Sequence, residues 1–244
     1  MNYEGKKYLI VFDFDQTIID KDSEFSAIEY FIPEFYKENE SELYHQKDWL
    51  SFNNLLYTKM KENGCNWEII KKYYEDLKLS PKMEKLFKFI FEHKNNIDSV
   101  ICSGNNRIVV DTVLKKNKLD NIIKFKICDN SELNNDNILK ITYLDEKYEH
   151  CNDCQPFLCK SLAMNNFFEN YKRGGYYKVI FIGDGANDFC FSKHLNENDI
   201  LFPRNGYSLY RILFDENKKS MIKAEIHPWN NGLDILNVLN ELDF

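Results

Sequence analysis

Short, unbroken apolar runs are separated by longer amphipathic segments along most of the chain. The first run is Tyr8–Phe12, and a later one is Val179–Ile182. Unbroken apolar runs of this length are typical of parallel strands buried on both faces, because both sets of alternating side chains then face a core. We therefore predict two buried strands that belong to one parallel sheet.

The alternation of strand and helix patterns continues after residue 96. Segments with helical spacing follow strand-like segments, and this order predicts a parallel sheet covered by helices on both faces. The elements predicted in this region are strands over Ile97–Cys102 and Asp199–Phe202, a hairpin of Ile122–Cys128 with Ile138–Leu144, helices over Arg107–Lys116 and Leu158–Tyr171, and further helices near Tyr207 and Gly232.

A different pattern occupies the region between the first two strands, where apolar residues recur at the spacing of amphipathic helices. The predicted helices are Phe25–Tyr36, Trp49–Lys61, Trp67–Leu77 and Met83–His93, with breaks at Pro33, Gly64 and Pro81. We therefore predict an α/β fold with two parts. A parallel-sheet core with helices on both faces comes from residues 1–20 and 97–244, and a helical cap inserted after the first strand comes from residues 21–96.

Length and charge limit the partners of such a fold. The chain has 244 residues and a formal net charge of −7, which is enough chain for one core and a small insertion. Its Lys and Arg residues are interspersed with Asp and Glu and form no basic stripe, which disfavours a nucleic-acid partner. A small anionic ligand would therefore have to be held by local charges. The oligomeric state stays open.

The N-terminus and the cysteines bear on the compartment. Residues 1–7 are mostly polar or charged, and no apolar run approaches the length of a membrane span. The seven cysteines are odd in number and scattered, which favours reduced thiols over a disulfide framework. We therefore expect a cytoplasmic protein without a membrane partner.

Polar side chains follow three of the predicted strands. Asp13 and Asp15 follow the first strand, Ser103 the second, and Asp184 a later one. The carboxyl ends of parallel strands lie at one edge of a sheet, where α/β proteins bind ligands. One carboxylate of the first pair can act as a nucleophile while the other transfers protons. Grouped carboxylates also need a cation, and the oxygen ligands of Asp13 and Asp184 suit Mg²⁺.

Four short motifs occur in a characteristic order: Asp13-x-Asp15-x-Thr17, Ser103, Lys160, and Gly183-Asp184-Gly185-x-Asn187-Asp188. Together they resemble the motifs of the haloacid dehalogenase-like phosphohydrolases, which have a Rossmann-like core. Further matching segments are Phe12–Asp15, His150-Cys151-x-x-Cys154, Leu158–Lys160, Gly183–Cys190 and Phe202-Pro203-Arg204-x-Gly206-Tyr207. They narrow the resemblance to the phosphoethanolamine/phosphocholine phosphatase family, which also includes pyridoxal phosphate phosphatases.

The resemblance implies a magnesium-dependent phosphatase that hydrolyses a small-molecule phosphate monoester through an aspartyl phosphate. It implies that Asp13 attacks phosphorus, and that Asp15 protonates the leaving alkoxide and then activates water. The other implied roles are Mg²⁺ binding by Asp13, Asp184 and the main-chain carbonyl of Asp15 with Asp188 nearby, phosphoryl binding by Ser103 and Lys160, and shaping of the loop by Thr17.

Two positions depart from the pattern of this family. Gly104 follows the strand-end Ser where the family commonly has an acidic residue, and Glu24 stands where the family commonly has Asp. The family pattern implies that both positions face a cationic head group, so we expect Glu24 and Gly104 to bear on substrate binding. Because glycine cannot pair with an ammonium group, phosphocholine and phosphoethanolamine are open to doubt as substrates. Asp20, Asp22 or an aromatic residue of the cap could compensate.

Other interpretations of these residues remain. Asp13 and Asp15 could cap a turn, Ser103 could simply end a strand, and Lys160 could be an exposed helix lysine. The alternative functions are hydrolysis of pyridoxal 5′-phosphate or phosphoserine, transfer of the phosphoryl group to a sugar by the same fold, and phosphate binding without catalysis.

The segment His150-Cys151-x-x-Cys154 is followed by Cys159 and could bind zinc. Structural zinc sites usually have four ligands with closed tetrahedral geometry, and a second compact ligand pair is missing here. The alternative is a loop of reduced cysteines that packs beside Lys160.

Overall fold

The computed structural model describes residues 7–43, 49–144, 158–171 and 173–243. Its strands are β1 (Tyr8–Phe12), β2 (Ile97–Asn106), β3 (Phe125–Leu133), β4 (Leu139–Thr142), β5 (Lys178–Gly183), β6 (Ile200–Pro203) and β7 (Glu225–Ile226). Its α-helices are α1 (Ser23–Phe31), α2 (Pro33–Leu43), α3 (Trp49–Glu62), α4 (Trp67–Asp76), α5 (Met83–Glu92), α6 (Arg107–Lys116), α7 (Lys160–Tyr171), α8 (Asp188–Ser192), α9 (Ser208–Ile212), α10 (Glu216–Lys219) and α11 (Gly232–Leu239).

Among the described residues, the strands form one seven-stranded sheet in the order β4-β3-β2-β1-β5-β6-β7. Only the pairing of β3 with β4 is antiparallel. Phe12, the last residue of the central strand β1, lies beside Ile101 of β2 and Ile182 of β5. The residues that follow these strands therefore meet at one edge of the sheet, and the predicted α/β fold is confirmed.

Successive side chains of β1 enter two different apolar cores. Ile10 and Phe12 belong to the larger core cluster, whereas Leu9 and Val11 belong to the second cluster on the opposite face of the sheet. All four side chains are completely buried. Full burial of a side chain of this size stabilises a fold by about 1.5–3 kcal/mol. The packing of the central strand on both faces therefore fixes the position of Asp13, the residue that follows it.

The first cap helix is shorter than the pattern predicts. The predicted segment Phe25–Tyr36 covers parts of two helices, because α1 ends at Phe31 and α2 begins at Pro33, with Ile32 between them. Proline has no backbone N–H and its ring clashes with the preceding helical turn, so it is accepted at the first position of a helix and not in its interior. The other three helices predicted between the first two strands lie within one residue of their predicted bounds, as α3, α4 and α5. No helix of the described residues is long and apolar enough to cross a membrane.

Two chain segments connect the cap to the core, and they pair with each other. Ile19 and Leu79 form an antiparallel bridge, and the Ser80 N–H donates to the Ile18 carbonyl at 2.9 Å. On the far side of the cap, Asn54 of α3 contacts the edge strand β4. Its side-chain amide donates to the Ile141 carbonyl at 2.9 Å and accepts from the Ile141 N–H at 2.8 Å. The linkers and helix α3 thus both attach the cap to the core.

Helix α5 packs against α11 of the core. The Gly232 N–H at the start of α11 donates to the Pro81 carbonyl at 2.8 Å, and a Cβ at Gly232 would lie 2.4 Å from the Lys82 carbonyl oxygen. We therefore propose that the cap ends near Ser80 and that α5 belongs to the core, although the sequence pattern places the boundary at residue 96.

Candidate active site

Three buried carboxylates meet at the carboxyl edge of the sheet. They belong to Asp13 after β1, Asp184 after β5, and Asp188 at the start of α8, and one oxygen of each lies within 4.8 Å of the others. The Asp13 N–H donates to the Ile182 carbonyl at 2.9 Å, which continues the pairing of β1 with β5 by one residue. The sheet register therefore brings Asp13 and Asp184 together although 171 positions separate them in the chain.

Lys160 provides the positive charge of this cluster. Its side chain is completely buried at the first turn of α7, and its Nζ lies 2.8 Å from Asp13 Oδ1 and contacts Asp188 Oδ1. Burial alone would lower the pKa of Lys160, but the negative charges of Asp13 and Asp188 raise the pKa above its usual value. The side chain is therefore an ammonium ion at neutral pH.

Asp188 organises the turn that carries Asp184. Its Oδ2 accepts hydrogen bonds from the backbone N–H groups of Asp184 at 2.9 Å and Gly185 at 2.8 Å. A Cβ at position 183 would lie 2.4 Å from the same oxygen, so the turn requires Gly183. Asp188 thus contacts the turn with one oxygen and Lys160 with the other.

The Asp184 carboxyl is held in an unfavourable electrostatic environment. Burial, followed by the negative charges of Asp13 and Asp188, raises its pKa well above the usual value. Thr17 Oγ1 donates to Asp184 Oδ1 at 3.2 Å. A divalent cation among these carboxylates would remove the repulsion, and a ligand set of oxygens alone suits a hard ion such as Mg²⁺. The three carboxylates therefore fit a hard divalent cation.

Residues 13–17, which follow β1, form the catalytic loop, and Asp15 lies on its side towards the cap. Its Oδ1 accepts from the Ser23 N–H at 2.7 Å, and its Oδ2 accepts from the Asn105 side chain at 2.8 Å. Burial and then the charge of Asp22 raise the pKa of Asp15 to about 7, while the hydrogen bonds from Ser23 and Asn105 oppose the shift. A carboxyl group with this pKa can both donate and accept a proton near neutral pH.

Asn105 is a site residue that the sequence reasoning missed. Its Nδ2 bridges Asp15 and the hydroxyl of Ser23, which it reaches at 2.6 Å. The signal for it was present, because Asn105 lies in a run of small and polar residues from 103 to 106 that begins at the predicted strand end. These residues continue β2 instead of forming a loop. Asn105 thereby connects the core to the first residue of the cap helices.

Ser103 and Gly104 also lie on β2, at the edge shared with Asp13. Ser103 is buried, and its Oγ accepts from the Asn105 N–H at 3.2 Å. Gly104 is half-buried and has no side chain to offer a ligand. The structure therefore brings the predicted strand-end residues of β1, β2 and β5 to the same edge of the sheet.

Glu24 lies in the cap, above Asp15. It is 8% exposed and lines a small cavity together with Asn53, Tyr57, Tyr74 and apolar residues, namely Ile28, Leu56 and Met60. Burial, then the charges of Asp15 and Asp22, raises the pKa of Glu24 well above its usual value, against a hydrogen bond from Asn53. A cationic group beside Glu24 would relieve this cost.

The cysteine-rich segment falls largely outside the described residues. His150, Cys151 and Cys154 lie there, and the zinc hypothesis stays a prediction. Cys159 is described and is completely buried next to Lys160 in the chain.

Comparisons with known proteins cover almost the whole chain. Human "Pyridoxal phosphate phosphatase PHOSPHO2" is 28% identical over 241 residues, which is 97% of this chain and 98% of that protein. The chicken "Phosphoethanolamine/phosphocholine phosphatase" is 26% identical over 241 residues, which is 97% of this chain and 89% of that protein. A crystal structure of phosphoserine phosphatase in apo form matches with a TM-score of 0.61 at 16% identity, over 98% of this chain and 100% of the other.

The likeness to the solved structure establishes the shared fold. The two named relatives are phosphatases, and they match the chain from end to end, as the motifs predict. A family model described as "Putative Phosphatase" matches residues 8–242. Since this match spans the central strand, the cap and every described site residue, the chain belongs to the Putative Phosphatase family and is a phosphatase of phosphate monoesters.

Proposed function

We propose that this phosphatase hydrolyses a small-molecule monoester with Mg²⁺ as its cofactor and Asp13 as its nucleophile. The observation that carries the proposal is the buried ion pair of Asp13 with Lys160, next to the Asp184 carboxylate. This arrangement supplies a nucleophile, a fixed cation for phosphoryl oxygens, and a ligand set for a metal. Phosphoryl transfer requires mainly such positioning and charge neutralisation.

Asp13, Asp184 and the main-chain carbonyl of Asp15 would hold the metal ion, with Asp188 nearby. When bound, Mg²⁺ neutralises charge on the transferring phosphoryl group as a Lewis acid. Lys160 supplies the second positive charge, and the Ser103 hydroxyl donates to a phosphoryl oxygen. Thr17 keeps the Asp184 carboxylate in place through its hydroxyl.

Asp13 forms a bond to phosphorus as the bond from phosphorus to the leaving alkoxide breaks. Asp15 gives its proton to that alkoxide, and then takes a proton from the water that cleaves the aspartyl phosphate. A group that serves as acid and then as base works best with a pKa close to the working pH. The raised pKa of Asp15, at about 7, supports this double role.

The cap favours a small substrate, because its helix α1 lies over the strand ends. The Ser23 hydroxyl at the start of α1 accepts from the Asn105 side chain of β2, and Glu24 of the same helix is buried. Glu24 is a candidate partner for an ammonium head group, while Gly104 offers no second carboxylate. Phosphoethanolamine and phosphocholine are therefore candidate substrates, and pyridoxal 5′-phosphate is the alternative suggested by the name of the human relative. The odd number of cysteines supports a cytoplasmic location.

A panel of phosphate monoesters, assayed for released phosphate with Mg²⁺ and with excess EDTA, tests the proposal. We expect hydrolysis that EDTA abolishes and that Mg²⁺ restores, with Ca²⁺ a poor substitute because it accepts more and longer bonds. Full activity in EDTA would overturn the metal role. Appearance of a sugar phosphate in place of free phosphate, when a sugar is present, would identify a phosphotransferase.

A further inference from the structure

A buried arginine lies behind the catalytic loop, away from the reacting atoms. Arg204 follows β6 and is 6% exposed. Its Nη1 donates to the Gln16 carbonyl at 2.6 Å, and its Nη2 donates to Asp20 Oδ1 at 2.5 Å. One guanidinium group therefore contacts both the turn after Asp15 and the linker into the cap.

Aromatic rings hold the guanidinium group in place. Its central carbon lies 4.5 Å from the ring centroid of Tyr207 and 5.1 Å from that of Trp229. Trp229 is itself completely buried, and its Nε1 donates to the Phe202 carbonyl at 3.1 Å. A planar guanidinium packed on two rings has little freedom to rotate, so its two donors point in fixed directions.

The turn that Arg204 contacts has an unusual backbone. Gln16 has a φ of 52°, in the left-handed region that residues other than glycine rarely adopt. Such a conformation persists only where the surroundings hold it. Gln16 stands between Asp15, whose carboxyl accepts from Ser23, and Thr17, whose hydroxyl donates to Asp184. A change in the backbone conformation of Gln16 would therefore move the side chains of both Asp15 and Thr17.

We infer that Arg204 is a positioning residue: its guanidinium holds the Gln16 turn and so places the Asp15 carboxyl group for proton transfer to the leaving group. The inference rests on the proposed role of Asp15. Lysine at position 204 would keep the charge but lose the planar fork and the stacking, so Arg204→Lys should loosen the turn.

The test compares Arg204→Lys with the native protein on two esters. p-Nitrophenolate is a good leaving group that needs little protonation, whereas the glycerol alkoxide must be protonated. We expect kcat/KM for glycerol phosphate to fall roughly tenfold more than kcat/KM for p-nitrophenyl phosphate, because general-acid catalysis is lost only where it is needed. A purely structural role would lower both values by the same factor.

Arg173→Lys is the matched control. Arg173 also pairs with a carboxylate, that of Asp199, and its guanidinium lies 5.2 Å from the ring centroid of Phe168. Asp199 directly precedes β6, which places this pair at the opposite edge of the sheet from the site. Arg173→Lys should lower thermal stability and leave the ratio of the two kcat/KM values unchanged.

Tyr207→Leu gives an independent answer, including where Arg204→Lys does not fold. It removes one ring from the guanidinium while Arg204 stays, and Tyr207 is only half-buried, so folding should be retained. We expect a smaller change than in Arg204→Lys in the same ratio of kcat/KM values, and in the same direction.

Two outcomes separate this inference from the proposed function. Equal losses of kcat/KM on both esters in the folded variants would overturn the inference. The proposed function would still be supported if the native protein hydrolyses both esters in the presence of Mg²⁺. A native protein that hydrolyses neither a panel ester nor p-nitrophenyl phosphate would instead overturn the proposed function itself.

Discussion

The ammonium nitrogen of Lys160 lies 2.8 Å from Oδ1 of Asp13, and the two side chains are 0% and 9% exposed. A buried ion pair stabilises a fold little more than apolar side chains of the same volume would. Removal of one partner is costly, however, because it leaves the other charge buried without compensation. The pair therefore links the proposed catalysis to stability, since the cation that would bind phosphoryl oxygens also neutralises Asp13, the proposed nucleophile.

Lys160→Met should abolish turnover and lower the free energy of unfolding by about 3–5 kcal/mol, because Asp13 and Asp188 would lose their shared cation. Urea unfolding followed by circular dichroism measures the loss, and added Mg²⁺ should restore part of it. Lys124→Met is the control. Lys124 pairs with Asp98 at 3.0 Å but is half exposed, so its loss should cost under about 1 kcal/mol. Equal losses in the two variants would contradict the prediction.

Asn105→Ala should change the pH dependence of the reaction. The Asn105 hydrogen bond stabilises the charged form of Asp15 and so lowers its pKa, which burial raises. Without this bond the pKa of Asp15 rises further, and the acid form needed to protonate the leaving group persists to higher pH. We expect the alkaline limb of the kcat/KM profile for glycerol phosphate to move to higher pH. An alkaline limb that stays in place or moves to lower pH would exclude this role. Asn130→Ala, at an exposed position of β3, should leave the profile unchanged.

Asp129→Asn should stabilise the fold at pH 7. Burial raises the pKa of Asp129 from 3.8 to about 6, against a hydrogen bond from the Leu144 N–H. A raised carboxyl pKa favours the folded state below pH 3.8, and this contribution is lost as the pH rises through about 6. Replacement of the carboxylate should therefore add roughly 1–3 kcal/mol at pH 7 and little at pH 3.5. Asp120→Asn, at an exposed position, is the control. An equal change in the free energy of unfolding at pH 7 and pH 3.5 in Asp129→Asn would contradict the prediction.

Glu24→Gln should reduce any preference for cationic substrates and spare neutral ones. The loss should be about five- to thirtyfold in relative kcat/KM for phosphocholine over glycerol phosphate. Gly104→Asp should shift preference towards choline and ethanolamine esters, because it would return a carboxylate to the position where the family pattern has an acidic residue. A native preference for phosphocholine of a hundredfold or more would show that another group replaces the missing acid.

Local sequence patterns predicted much of the fold. The apolar run of β1 and the helical spacing of apolar residues in α6 both lie within the segment that forms the element, so each can be recognised without knowledge of its neighbours in the fold. Helix α6 has the bounds Arg107–Lys116 that the pattern predicts. The pattern failed at β2, where residues 103–106 look like a loop. They remain extended because Asn106 pairs with Asp129 of β3, a contact that no local signal records.

The carboxylate cluster could be predicted from strand ends, since a parallel sheet places these ends at one edge. The residues that orient the cluster could not be predicted in the same way. Asn105 reaches Asp15 across 90 positions of the chain, and Arg204 reaches Gln16 across 188. Both are ordinary polar residues in the sequence, and only the folded chain places their donors beside the catalytic loop.

The most direct test of Asp13 as the nucleophile uses Asp15→Asn with p-nitrophenyl phosphate. This ester needs no proton for its first step, while the second step still needs a base, so the phosphorylated enzyme should accumulate. We predict a stoichiometric burst of p-nitrophenol, and peptide mass spectrometry after acid quenching and borohydride reduction should locate the modified residue at Asp13. The double variant with Asp13→Asn should give no burst. A burst with the phosphoryl group on another residue, or near-normal turnover by Asp13→Asn alone, would contradict the assignment.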